Sequence, residues 1–119
     1  MDKQIRLKVY DKCGGRCAYC GKVIELKDMQ VDHIIPQHLL NNIERWDIDN
    51  IKNLNPTCRR CNHYKRAHPL ELFRRMIKTI HQRVLDIYIC KVAEDYGIIE
   101  IKPWEGLFYF EKVGGRENE

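Results

Sequence analysis

Cys17-Ala18-Tyr19-Cys20, Asp32-His33-Ile34-Ile35-Pro36, and Asn53-Leu54-Asn55-Pro56-Thr57-Cys58-Arg59-Arg60-Cys61-Asn62-His63-Tyr64-Lys65 are the stretches that decide how this chain is read. A Cys-x-x-Cys turn aims two thiolates at one point, and a second such turn completes a closed tetrahedral shell suited to structural zinc. Gly21, directly after Cys20, supplies the tight backbone turn that such a knuckle needs. Cys17, Cys20, Cys58 and Cys61 are therefore expected to hold one Zn²⁺, whose binding free energy, about 10 kcal/mol or more, feeds directly into folding. A redox role for either pair is disfavoured, since neither stands between the strand and helix of a βαβ unit. Cys13 could substitute as a ligand, but the symmetric pairing is intact without it. Cys13 and Cys90 read as small apolar core residues.

Working outward, 119 residues fit one domain near the low end of the common size range. Apolar residues make up 44%, which allows only a small core, so a metal staple is physically useful. The opening Met1-Asp2-Lys3-Gln4-Ile5-Arg6 has no apolar run of signal-peptide length, and no stretch is apolar enough to span a bilayer. A reducing, intracellular (cytoplasmic) setting with no membrane partner is the default, and there paired cysteines serve as metal ligands rather than disulfides.

Residues 3–12 carry Ile5, Leu7, Val9 and Tyr10, a spacing that suits a helix and a strand equally poorly. Val23-Ile24 and Met29-Gln30-Val31 flank the polar Lys27-Asp28 and predict a short hairpin. Residues 36–52 read as a long loop with one helical turn near Leu39–Trp46; loops of that length in small domains usually carry function. From Pro69, the apolar positions Phe73, Ile77, Ile80, Val84 and Ile87 form one helical stripe. Pro69 starts it and Gly97 stops it, with a break near Thr79–Gln82 as the alternative to one long helix. Residues 98–101 and 107–111 predict a terminal β-hairpin around Pro103-Trp104-Glu105-Gly106, and the tail from Gly114 is expected to fray.

Hydrolysis of a phosphodiester needs an activated water, a counter-charge for the crowded phosphorus and support for the leaving oxygen. An imidazole, with an ordinary pKa of about 6.5, can take the water's proton at neutral pH. A hard divalent cation held by carboxylate and amide oxygens can meet the other two needs. Asp32 and His33 are adjacent, so a regular strand would point them to opposite faces. Sharing one site requires a twist or loop after Asp32, for which Pro36 gives an opportunity.

The quoted segments resemble the HNH (ββα-metal, His-Me finger) endonuclease family in its form with four-cysteine zinc knuckles. The resemblance covers roughly residues 13–66 and leaves 67–119 without an assigned role. Asp32–Gln37 is also similar to the corresponding run in the nuclease domains of RNA-guided CRISPR effectors. The resemblance implies an α+β fold: a ββα-metal core with a four-cysteine zinc site, followed here by the long helix and terminal hairpin as an extension over 67–113 of a single 1–119 domain. It implies His33 as general base, Asp32 and Asn62 as ligands of a catalytic Mg²⁺ or Mn²⁺, and Asn53 as the residue that pins the loop holding His33. Asn50 sits in a similar local pattern, but three residues too far from Cys58, and His63 stands one residue late for a ligand. The implied reaction is DNA cleavage leaving 5′-phosphate ends.

Charge distribution points the same way. Between Cys58 and Lys78 stand Arg59, Arg60, Lys65, Arg66, Arg74, Arg75 and Lys78, opposed only by Glu71, a local footprint suited to a phosphate backbone. Arg59, Arg60, Lys65 and Arg66 are the expected phosphate contacts. A solvated helix face is the bland alternative. The rival functions are a zinc-stabilised DNA-binding module without catalysis and a protein-interaction scaffold. One active site nicks one strand, so double-strand cleavage would need a homodimer or a second visit. Phage, restriction and mobile-element machinery all remain open as the setting.

Overall fold

The computed structural model describes residues 1–36 and 50–117, with side chains described as far as residue 114. Most of the long loop, including the helical turn expected near Leu39–Trp46, lies outside the described residues. The chain divides into two compact units, residues 1–70 with 108–119, and residues 71–107. The fold is mixed α and β, with one two-stranded antiparallel sheet among the described residues. Among those residues no helix is long and apolar enough to cross a membrane.

The first unit opens with α1 (Lys3–Lys12), capped by Asp2, whose side chain accepts from the Gln4 amide at 2.7 Å. Its weak apolar pattern has a physical reason: only Val9 is buried, and the helix is otherwise tied down by polar side chains reaching backbone carbonyls. Arg6 donates to Leu26 and Met29 (2.9 and 2.7 Å), Tyr10 to Ile24 (2.8 Å), and Lys12 to Leu54 (2.7 Å). The first knuckle follows, and Gly21 turns it at φ +82°, where an added Cβ would meet the Tyr109 ring at 3.1 Å.

The expected hairpin of 23–24 with 29–31 does not form. Val23 bridges back to Arg16, the Ile24 amide donates to Gly15, and Leu26–Asp28 is a short 3₁₀ turn. Strand β1 (Gln30–His33) instead pairs with β2 (Leu54–Thr57), in the register Gln30–Thr57, Val31–Pro56, Asp32–Asn55 and His33–Leu54. A further 3₁₀ turn at Ile51–Asn53, capped by Asn50, leads into β2. Helix α2 (Arg59–Lys65) starts at Cys58, whose sulfur accepts from the Cys61 amide. The last helix of the chain, Tyr109–Glu117, closes the unit and carries on through Gly114, where fraying was expected to begin. The Phe110 amide donates to Ala18 at 2.8 Å and that of Ala18 to Pro56 at 2.8 Å, so the knuckle is sewn between this helix and β2. The core around it is Val9, Cys17, Tyr19, Met29, Leu54 and Phe108, all buried.

The second unit holds the apolar stripe. It is two helices rather than one, α3 (Leu70–Leu85) and α4 (Tyr88–Asp95), which makes the closing helix of the first unit α5 (Tyr109–Glu117). The break falls at Asp86–Ile87, where the Ile87 amide closes a tight turn onto Val84; no glycine or proline stands there to cause it. Ile77, Ile80 and Val84 face Ile99, Ile101 and Trp104 across a groove of about 340 Å³. Residues 98–101 and 107–111 form no strand pair. The backbone donors of the first stretch are already committed to α4, since Ile98 donates to the Ala93 carbonyl and Ile101 to the Glu94 carboxylate, and those of Tyr109 and Phe110 go to the first knuckle. Helix propagation from Tyr109 then replaces the second strand.

Candidate active site and four-cysteine centre

The two knuckles bring Cys17, Cys20, Cys58 and Cys61 together, with their four sulfurs all within 4.8 Å of one another. Cys20 and Cys58 are 4.0 Å apart. A tetrahedron built on Zn–S bonds of about 2.3 Å has edges of about 3.8 Å, so these sulfurs need only a slight contraction to close on zinc. None of the six cysteines is joined in a disulfide. Hydrogen bonds from Cys20 and Cys61 hold the Cys17 thiol far below its usual range, whereas Cys17 and Cys20 push Cys61 far above its own. Four crowded thiols are a donor set that a thiophilic dication draws together, with release of their protons on binding. The donor set fits Zn²⁺.

Asp32 is buried in mid-sheet. Alternation along β1 puts its side chain inward and leaves His33, the last strand residue, half-buried on the other side. The chain bends at Ile34–Ile35, immediately beyond His33. Asn53 clips that bend. Its carbonyl accepts from the Ile34 amide (2.8 Å), its Oδ1 accepts from the Ile35 amide (2.8 Å), and its Nδ2 donates to the Ile35 carbonyl (3.2 Å). Asn50, the competing asparagine, is engaged as a cap, accepting from the Lys52 amide at 2.9 Å.

Lys65 occupies a place other than the one expected of it. It was expected among the phosphate contacts, yet it is fully buried, its ammonium 3.2 and 3.1 Å from the two Asp32 oxygens and 3.2 Å from the His33 carbonyl oxygen. Two of these contacts, to Asp32 Oδ1 and to the His33 carbonyl, are hydrogen bonds, and the third, to Oδ2, is an ion-pair contact. Lys65 follows Cys61 by four residues and Asn62 by three, which places all three along one side of α2, but that spacing does not say that this side meets the sheet. Arg59, Arg60, His63 and Arg66 are exposed. Arg74, counted in the same basic run, is instead tied to Glu71 and to the Gly106 carbonyl.

Two further residues complete the surroundings of Asp32. The Tyr19 hydroxyl donates to Asp32 Oδ2, and the amide of Asn55, directly across the ladder, donates to the Tyr19 oxygen at 3.4 Å. Asn55 Oδ1 is buried without a partner among the described residues. Burial pushes the Asp32 carboxyl above the usual range, against the opposing pull of Tyr19 and Lys65, with a weaker contribution from His33. Burial first, then the charge of Asp32, pushes the Tyr19 phenol far above its usual range, so Tyr19 stays a donor. Neither Tyr19 nor Asn55 was singled out from sequence, because aromatic and amide residues in turns and strands are ordinarily structural.

The Lys65 ammonium joins the Asp32 carboxylate to the backbone carbonyl of His33, while alternation along β1 sets the His33 side chain on the opposite face from Asp32. Asn62, half-buried on α2, lies one helical turn before that ammonium. The donor chemistry of Asp32 and Asn62 suits a hard divalent ion. A carboxylate offers about four lone-pair sites, and the hydrogen bonds from Tyr19 to Oδ2 and from Lys65 to Oδ1 leave one on each oxygen.

Residues 17–78 match the sequence model of a family described as HNH endonuclease. Septu protein PtuB of Bacillus thuringiensis is 33% identical over 66 residues, which is 54% of this chain and 24% of that protein. The chain thus spans about a quarter of that relative's length. Among solved structures, the Type II-C Cas9 enzyme from Actinomyces naeslundii is 30% identical, with 69% of this chain and 9% of that chain covered and a TM-score of 0.49.

Proposed function

Because this chain belongs to the HNH endonuclease family, we propose that it hydrolyses phosphodiester bonds in DNA with His33 as general base. The observation that carries the reading is the placement of His33: it ends the strand in which Asp32 is buried, and Asn53 clips the bend that follows it. A base held on a pinned backbone meets the orientation requirement of proton transfer. Asp32 and Asn62 supply the oxygens for Mg²⁺ or Mn²⁺. Bound there, the ion would contribute positive charge against the phosphate and the departing 3′ oxygen.

His33 accepts the proton of a water aligned opposite the leaving oxygen, and the products carry 5′-phosphate and 3′-hydroxyl ends. Arg59 and Arg60 at the start of α2 and Arg66 at its end, all exposed, grip flanking phosphates, which position the duplex without reading bases. Lys65 is withdrawn from that role by its burial.

A second reading, a zinc-stabilised DNA-binding module without catalysis, draws on the same ion pair, since Lys65 already neutralises Asp32. Supercoiled plasmid with Mg²⁺ or Mn²⁺ separates the two. Wild type is expected to nick it, and His33→Ala and Asp32→Ala to lose at least about 100-fold in rate while zinc content and helicity persist. Wild type that binds plasmid but nicks it with neither ion would establish the module instead.

A further inference from the structure

Each half of the four-cysteine clamp delivers one group to the same carboxylate. Tyr19 lies between the ligands Cys17 and Cys20 of the first knuckle, and its hydroxyl donates to Asp32 Oδ2. Lys65 lies on the helix that begins at the second knuckle and spans both Asp32 oxygens. The Tyr19 ring has no freedom to wander: it stands edge-on to Phe108 at 5.2 Å and to Phe110 at 5.9 Å, and is itself 4% exposed. Asn55 donates to the phenol from behind.

The two contacts differ in what they can specify. Lys65 lies at nearly equal distances from the two oxygens and gives its hydrogen bond to Oδ1, holding the charge of Asp32 from the α2 side. Tyr19 touches Oδ2 alone, so it fixes which oxygen faces the first knuckle and which faces Lys65, with one lone-pair site still open on each. We propose that Tyr19 is a positioning residue, through which the four-cysteine centre sets the rotation of the Asp32 carboxylate and so the geometry of divalent-ion binding. The zinc centre then has two duties, holding the knuckles together and orienting a ligand of the second metal. Hydrogen-bonded partners of metal-binding carboxylates act in this way, and losing one weakens metal affinity by about 10- to 100-fold. The inference rests on the reading of Asp32 as a divalent-ion ligand.

Tyr19→Phe keeps the ring and its packing and removes only the donor. In zinc-loaded protein, Mn²⁺ affinity is read by electron paramagnetic resonance of the free ion, alongside zinc content, thermal unfolding and the Mn²⁺ dependence of plasmid nicking. The expected result is a full zinc complement and Mn²⁺ binding weakened by about 10-fold. Half-saturating Mn²⁺ for nicking should rise in parallel, while the rate at saturating Mn²⁺ falls far less. A Tyr19→Phe protein that binds Mn²⁺ as wild type does overturns the proposal. Should that variant lose its zinc, Phe110→Leu, which loosens the wall beside the ring and leaves the phenol, is read in its place. Weakened Mn²⁺ binding there supports the role and unchanged binding overturns it. Asp32→Asn separates the premise from the inference: undiminished Mn²⁺ binding in that variant means that Asp32 is no ligand, whereas binding lost there and unchanged in Tyr19→Phe defeats only the positioning role.

Discussion

Lys65 shows how much one buried charge constrains this molecule. Its ammonium and the Asp32 carboxylate are both removed from water, an expensive arrangement that becomes tolerable because each finds hydrogen-bonding partners. Lys65→Met is expected to destabilise the zinc-loaded protein by about 3 kcal/mol or more, since Asp32 would remain buried without its cation. Urea unfolding measures this, and the double variant Lys65→Met with Asp32→Asn should recover part of the loss. Arg66, its neighbour, holds φ +52° and ψ −135° as the residue ending α2, a backbone region that favours glycine. Arg66→Gly is expected to raise stability by about 1 kcal/mol, seen as a higher melting temperature, while weakening DNA binding. The clustered cysteines were legible at this scale because chemistry and spacing define them. Lys65 was not, because its sequence neighbours Tyr64 and Arg66 say nothing about which side of α2 meets the sheet.

At the scale of elements, the four-cysteine centre replaces a core that short elements could not build alone. The sheet has two strands of four residues each, and isolated pairs of that size are marginal in water. Removal of zinc with a strong chelator is therefore expected to abolish most of the cooperative unfolding transition of the first unit, followed by circular dichroism, and added Zn²⁺ should restore it. The helical stripe from Phe73 was readable from its period, which depends only on local geometry. Its interruption at Ile87 was not, for the closing turn onto Val84 involves residues with no helix-breaking character. The strand errors share one cause: the backbone groups of 23–24 and 98–101 find partners in Gly15, Ala93 and Glu94, choices that strand propensity cannot anticipate.

For the whole molecule, the net charge of +4 is modest, so affinity for DNA should come from local placement. Each phosphate contact contributes about 0.9 to the slope of log affinity against log salt on duplex DNA. Arg59→Ala and Arg60→Ala are each expected to lower that slope by about one, whereas the buried Lys65 makes no such contribution; fluorescence anisotropy on a labelled duplex over a salt series tests this. The sequence by itself determined the four-cysteine cluster and the family, and it named a candidate base and carboxylate, because these depend on residue chemistry repeated at short, rigid spacings. Only the tertiary structure decided that β1 takes β2 as its partner, that Lys65 turns inward, and that Tyr19 and Asn55 surround Asp32. Those outcomes follow from competition among distant groups for a few buried hydrogen-bonding positions, and no local stretch of chain contains all the competitors.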